Sequence, residues 1–133
     1  MKRFKLTPTE PTEYQLHATV AEFLDWALLP PALYTTFPAG WGVLARSTAG
    51  RLKRAGLKQG IPDILLFHNG KATGIELKSY NGTLTQIQKD MHARLRGAGI
   101  EVFTCASLDE VIGIVRNHLN LPLRRTRGAS DVA

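Results

Sequence analysis

The chain of 133 residues has one cysteine, Cys105. No intramolecular disulfide can form and no cysteine zinc cluster can be built, which fits a reducing intracellular setting. Cys105 lies in an apolar-flanked run and reads as a core residue rather than a nucleophile. No segment approaches the roughly 20 apolar residues of a membrane span. The basic N-terminus lacks the apolar core of a signal peptide. Acidic residues are few, eleven Asp and Glu against seventeen Lys and Arg, for a net charge of +6. That balance favours an anionic partner, nucleic acid ahead of a membrane surface. No internal repeat is visible. The length suggests one domain, and 44% hydrophobic content is enough for a real core.

The pattern along the chain predicts alternating helices and strands. Residues 1–11 carry two prolines and mixed charges and read as a flexible lead-in. Thr9 and Thr12 are both candidate caps for a helix running to about Leu29, with Leu16, Val20, Phe23, Leu24, Ala27 and Leu28 on its apolar stripe. Pro30-Pro31 stops it. Leu33–Phe37 reads as a short strand, and Ala49–Leu57 as a short basic helix. Two strands follow, about Asp63–His68 and Ala72–Lys78, joined by Asn69-Gly70, the strongest short hairpin signal. The first of them is apolar on both faces beyond Asp63, so it belongs inside the sheet. Thr83 or Thr85 caps a helix to about Arg96, with Gly97 and Gly99 past its end. Ile100–Ala106 is a strand. Ser107-Leu108-Asp109-Glu110 is a capping box opening a last helix with Val111, Ile112, Val115 and Leu119 on its apolar side. Residues 121–133 hold Arg124, Arg125 and Arg127 with little to bury, and read as a basic mobile tail. The folded domain is therefore expected over residues 12–120. Its class is α/β, a mixed β-sheet flanked by helices with an α-β-β-β-α-β core and a right-handed parallel crossover into the last strand.

Chemistry concentrates at the end of the hairpin. With Asn69 and Gly70 as the central turn residues, Asp63 falls opposite Glu76, their Cβ atoms about 4.5–5.5 Å apart. Lys78 lies two residues past Glu76 and so shares its face. Two carboxylates opposed on one face repel each other, which a purely structural strand avoids. A divalent cation between them removes the conflict. Carboxylate oxygens suit Mg²⁺ or Mn²⁺, and a lysine beside them suits phosphate chemistry. The plain alternatives are a strand-end Asp, an edge-facing Glu, and a Lys78–Glu76 salt bridge of ~0–1 kcal/mol.

These residues resemble the P-D…(D/E)-x-K nuclease superfamily, and the wider context resembles its VRR-NUC branch. The matching stretches are Gly60-Ile61-Pro62-Asp63-Ile64-Leu65-Leu66, Ile75-Glu76-Leu77-Lys78, Leu84-Thr85-Gln86-Ile87-Gln88-Lys89, Leu95-Arg96-Gly97-Ala98-Gly99 and Ser107-Leu108-Asp109-Glu110. An isolated E-x-K is weak; the ordered set is fairly specific. The resemblance implies a restriction-endonuclease-like fold with Asp63 and Glu76 as metal ligands. It also implies the Leu77 carbonyl as a third protein oxygen and Gln88 beside the active site holding a water or phosphate oxygen. It points as well to Glu13, near the start of the first helix. Helical phase agrees: at about 100° per residue from Leu16, Glu13 falls about 60° round, within a stripe centred at about 40°, and Glu22 at about −120°.

Arg46, Arg51, Lys53, Arg54 and Lys58 form a basic run before the hairpin that suits a phosphate backbone. A solvated helix face is the plain alternative. His92, one turn after Gln88, suits packing or hydrogen bonding as well as catalysis, and His17, His68 and His118 read as structural. The leading expectation is a divalent-metal-dependent DNA endonuclease. Selectivity for branched DNA, including Holliday-junction resolution, is what the resemblance to stand-alone phage and bacterial proteins implies, with an intracellular, cytoplasmic setting and phage encoding among the options. A homodimer is expected because paired cuts need two sites. The rivals are a restriction-like or flap nuclease and a non-catalytic nucleic-acid-binding module.

Overall fold

In the computed structural model the described residues are 12–37 and 46–125. They form α1 (Glu13–Ala27), β1 (Leu33–Thr36), α2 (Arg46–Arg54), β2 (Ile64–His68), β3 (Lys71–Leu77), α3 (Gln86–Gly97), β4 (Glu101–Cys105) and α4 (Leu108–Gly113), which runs on into a π-helical turn, Ile114–His118. The sheet order is β1-β2-β3-β4. β1 and β2 are antiparallel, as are β2 and β3, and β3 and β4 are parallel. The expected mixed α/β sheet is present, with β2 inside it.

Local chemistry accounts for the boundaries. Thr12 caps α1, its hydroxyl accepting the Gln15 N–H while the Gln15 side chain accepts the Thr12 N–H. Thr85 caps α3 in the same reciprocal way with Gln88. Asn69 and Gly70 both take positive φ, 51° and 74°. That conformation suits a two-residue hairpin and sets the pairing of His68 with Lys71 and of Ile64 with Ile75. The register read from Asn-Gly therefore holds along the whole hairpin.

Because side chains alternate along a strand, the sheet has two distinct faces. Ile64, Leu66, Ile75, Leu77 and Cys105 point to one of them and pack against Leu16, Val20 and Leu24 of α1, Val111 of α4 and Val115 of the π-helical turn. Asp63, Gly74, Glu76 and Lys78 belong to the other phase, which meets α3. β3 is buried from Thr73 through Leu77 because both its faces are covered.

Three sequence expectations need correction. The basic helix begins at Arg46 and ends at Arg54, earlier than Ala49–Leu57. Ser107 caps α4 by accepting the Glu110 N–H, but the Glu110 carboxylate accepts from the Ala106 N–H rather than closing a capping box. The chain past Asn120 is not simply a tail. Leu121 is buried, Leu123 bridges Leu28, the Leu29 N–H donates to the Pro122 carbonyl, and the Arg124 N–H donates to that of Ala27. The last carbonyls of a helix need partners from outside it, and this segment supplies one to α1. Packed structure thus extends beyond the expected boundary at residue 120. The lead-in 1–11 and residues 126–133 lie outside the described residues.

Gly60 positions the approach to the hairpin. Its φ is +81°, and a Cβ there would lie 2.7 Å from the Ile87 carbonyl oxygen. Gly60→Ala should therefore destabilise the fold by about 2–3 kcal/mol, from backbone strain and a clash with main chain that cannot rotate away. Gly97→Ala, at a helical position with open space around it, should be neutral or slightly stabilising. Urea unfolding midpoints of the two variants test the contrast.

Candidate active site

The carboxylate pair sits where the β2–β3 ladder ends. The last ladder pair is Ile64 with Ile75, so Asp63 and Glu76 come next, facing each other. Pro62 ends the ladder, having no N–H to donate. The Lys78 N–H donates to the Cys105 carbonyl, so the backbone groups of Leu77 point the opposite way, toward β2. The Leu77 N–H is taken by Asp63 Oδ2 at 2.7 Å. The β2–β3 register ends at Ile64 and Ile75, so no β2 residue is paired with the Leu77 carbonyl. The end of the ladder thus leaves one strand carbonyl without a β2 donor, beside a carboxylate tied to the same residue. Gly74 makes room for this: a Cβ there would lie 2.8 Å from Pro62 Cγ.

Electrostatics at the pair are severe. Glu76 is 1% exposed. Burial pushes its carboxyl up to about 9, helped by a hydrogen bond to Asp63 and by the Asp63 charge; Lys78 pulls the other way and Glu13 adds a further push. His92, on α3, brings Nε2 to 3.2 Å from Glu76 Oε1, with both side chains out of solvent. Burial lowers the His92 pKa, as does the charge of Arg96, against the pull of Asp63. Burial also lowers that of His17, again against Asp63. His17 is therefore a neighbour of the pair as well as a core residue, which its sequence context did not reveal. Lys78 is buried and makes no ion pair among the described residues. The expected alternative of a Lys78–Glu76 salt bridge is absent, and its charge acts on the pair through space.

A cleft of about 420 Å³ opens onto the carboxylates. Its polar lining includes Glu13, Lys53, Lys58, Asp63, Glu76 and Gln88, and its apolar walls include Leu52, Leu57, Ile61 and Ile87. Glu13 needs a correction. It is exposed in the first turn of α1, not buried in the stripe. The phase argument gave its direction but not its cover, because the stripe buries only from Leu16 onward. Among the described residues no three His, Cys, Asp or Glu side chains gather as a metal site. Gln88 does reach the cleft, although its Oε1 is already held by the Thr85 N–H at 3.0 Å. Its NH₂ and the second lone pair of Oε1 remain for other partners. Of the basic run, Lys53 and Lys58 line the cleft, whereas Arg51 and Arg54 are exposed and do not. The Arg46 side chain lies outside the described residues. Sequence reasoning missed Gly60, Gly74 and Ile87. The signal for the glycines was the place of Gly60 just before Pro62-Asp63 and of Gly74 opposite Leu65; Ile87 had none.

Among the described residues no helix is long and apolar enough to cross a membrane. No curated protein matches the chain. Among solved structures, a VRR_NUC domain protein superposes with a TM-score of 0.61 at 20% identity, covering 84% of this chain and 91% of that one. A second, a VRR_NUC domain, gives 0.52 at 20% identity over 81% and 99%. At that identity the likeness speaks for the fold alone, the mixed sheet with helices on both sides. Membership rests on sequence: the VRR-NUC domain model matches residues 5–109, a span that holds Asp63, Glu76, Lys78 and Gln88, and the chain therefore belongs to the VRR-NUC domain family, a nuclease-type domain.

Proposed function

We propose that the chain is a divalent-metal-dependent endonuclease acting on DNA, selective for branched substrates and working as a homodimer. The observation that carries this reading is the buried Asp63–Glu76 pair at the floor of a cleft with lysines on its wall. The residues present suit a hard divalent cation. Two adjacent carboxylates hold too much negative charge for their burial, as the rise of Glu76 records, and the Leu77 carbonyl has no ladder donor. Asp63, Glu76 and the Leu77 carbonyl would hold Mg²⁺ or Mn²⁺. When bound, such an ion polarises a phosphate and lowers the pKa of a water.

The remaining roles belong to the chain's own groups. Lys53 and Lys58 bind phosphates of the backbone and set its register over the carboxylates. Lys78 holds positive charge close to the pair, where charge develops on the reacting phosphate. The Gln88 NH₂ orients a water or phosphate oxygen. Glu13, at the rim, faces the same space and acts as a polar wall rather than as a ligand. The exposed Arg51 and Arg54 steer DNA from outside the cleft. Each chain has one carboxylate pair and so cuts one strand per visit. Two symmetric cuts at a junction need a two-fold pair of chains. Among the described residues β1 is an edge strand, and it is available for pairing beside the opposed and exposed Leu33 and Phe67.

Four outcomes test the reading. Cleavage of a four-way junction should require Mg²⁺ or Mn²⁺, exceed that of a matched linear duplex, and fall by at least about 10²-fold in Asp63→Ala, Glu76→Ala and Lys78→Ala. Light scattering should give a dimer. Full activity of Glu76→Ala, or activity in excess chelator, refutes the metal chemistry. A monomer that cuts both substrates equally refutes the rest.

Neutralising Lys53 and Lys58 together should lower the slope of log affinity against log salt by about 2, one per lost phosphate contact. The pair Arg51 and Arg54 should change it less. Binding measured between low and moderate salt decides the matter.

Glu76 also makes metal-free stability depend on pH. Its carboxyl holds a proton more tightly in the folded chain than at its ordinary value of 4.5. The folded state is therefore favoured by this group below about pH 4.5, and that advantage is lost as the pH rises toward about 9. In chelator, Glu76→Gln should melt higher than wild type, by a margin that widens from pH 6 to pH 9. Adding Mg²⁺ to wild type should shrink the margin. An unchanging difference in melting temperature would contradict the assignment.

A further inference from the structure

His92 is 1% exposed. Among the described residues its one hydrogen bond is the contact of Nε2 with Glu76 Oε1, and its buried Nδ1 has no partner. Such an arrangement is a poor way to stabilise a core. An imidazole gives up its hydration for one bond and leaves a polar atom unmatched, where a phenylalanine or leucine would fill the space without that loss. The neighbouring Met91 is the apolar choice on the same helix.

The geometry does specify one proton position. A hydrogen on Nδ1 would be a buried donor with nothing to receive it, which native structures rarely contain. The hydrogen therefore sits on Nε2 and donates to Glu76 Oε1. The Glu76 main chain is already fixed, paired with Thr104 across β4. Its side-chain torsions are not fixed by the sheet, and the last of them turns the carboxylate plane. A donor on a rigid ring, mounted on α3, sets that plane and leaves Oε2 for the space shared with Asp63.

We infer that His92 is a positioning residue that orients the Glu76 carboxylate for the cation and the phosphate through its Nε2–H. The inference rests on the proposed nuclease reading and assigns within it a residue outside the Asp63–Glu76–Lys78 set. Groups that orient a metal-holding side chain typically change affinity or activity by about 10–100-fold when removed.

The test uses the full chain and two variants. His92→Phe keeps the ring shape and removes the donor. His92→Gln keeps an N–H at similar reach. Mn²⁺ affinity is measured by calorimetry without DNA, alongside kcat and KM on a four-way junction and the melting temperature. His92→Phe should bind Mn²⁺ about tenfold or more weakly. Its kcat should fall by a similar factor, KM for DNA should change by less than about twofold, and the melting temperature should not drop. His92→Gln should recover most of both losses. A His92→Phe protein that binds Mn²⁺ and turns over as wild type does overturns the inference, as does a His92→Gln protein no better than His92→Phe. Should either variant fail to fold, nitrogen-15 spectra of the wild-type imidazole with saturating Mg²⁺ decide. The proton on Nε2 supports the inference, and the proton on Nδ1 refutes it. Wild type that neither binds Mn²⁺ nor cuts DNA sinks the nuclease reading itself. Active wild type with an indifferent His92→Phe sinks only the role of His92.

Discussion

Glu76 lies in the middle of a covered sheet with Asp63 against it, and much of the surrounding architecture serves to tolerate that repulsion. Burying one carboxylate is costly, and burying two in contact is more so. The hairpin holds them at one end through a turn whose two positive-φ residues permit a single register. A slip by one residue would send Glu76 into the apolar layer under α1 and Ile75 into the cleft. Pro62, seated over Gly74, ends the ladder at the level of the pair. The place of highest electrostatic strain is thus the place where backbone pairing stops and a carbonyl becomes available.

The contacts around the pair divide into those that fix and those that balance. The Leu77 N–H fixes Asp63, and His92 fixes one oxygen of Glu76. Lys78 balances without touching, since it lowers the Glu76 carboxyl through space but makes no ion pair. A direct salt bridge would satisfy Lys78 and Glu76 with each other and leave neither group free for a ligand. With no ion pair to Glu76, the lysine leaves the charge deficit in place, as the proposed cation and phosphate would require.

Much of this was legible in the sequence. The hairpin, its register and the Asp63–Glu76 opposition followed from Asn69-Gly70 and the alternating pattern, because turn chemistry and period 2 act within a few residues. What depended on distant packing was not. The phase of Glu13 was right, but whether a helix position is covered depends on what lies over it, and the sheet ends short of the first turn. Leu121 and Leu123 read as tail residues because the bridge to Leu28 pairs segments about ninety residues apart. His92 looked like an isolated histidine, since its partner Glu76 is a carboxylate on another element, and so did His17, which feels the charge of Asp63 from across the fold. Even the basic run was half informative: its charge was visible, but the selection of Lys53 and Lys58 for the cleft depended on where α2 and the following loop are carried.

Charge counting joins these features. Asp63 and Glu76 contribute two negative charges and Lys78 one positive, while burial pushes His17 and His92 toward their neutral forms. Glu13 stands at the exposed rim. The buried cluster therefore carries a net charge of −1 when both carboxylates are ionised. One proton on the pair neutralises it, which is what the raised Glu76 carboxyl expresses. A divalent cation alone would overshoot to +1, and a cation together with one phosphodiester anion returns the count to zero. Under the proposed chemistry, the loaded site with its substrate is the other arrangement in which the interior is neutral. Neutral histidines are part of that balance, because a protonated His92 or His17 would offset a carboxylate and weaken the site's hold on a cation. Replacing Lys78 by a neutral residue would upset it too, leaving the cluster negative even with cation and phosphate both present.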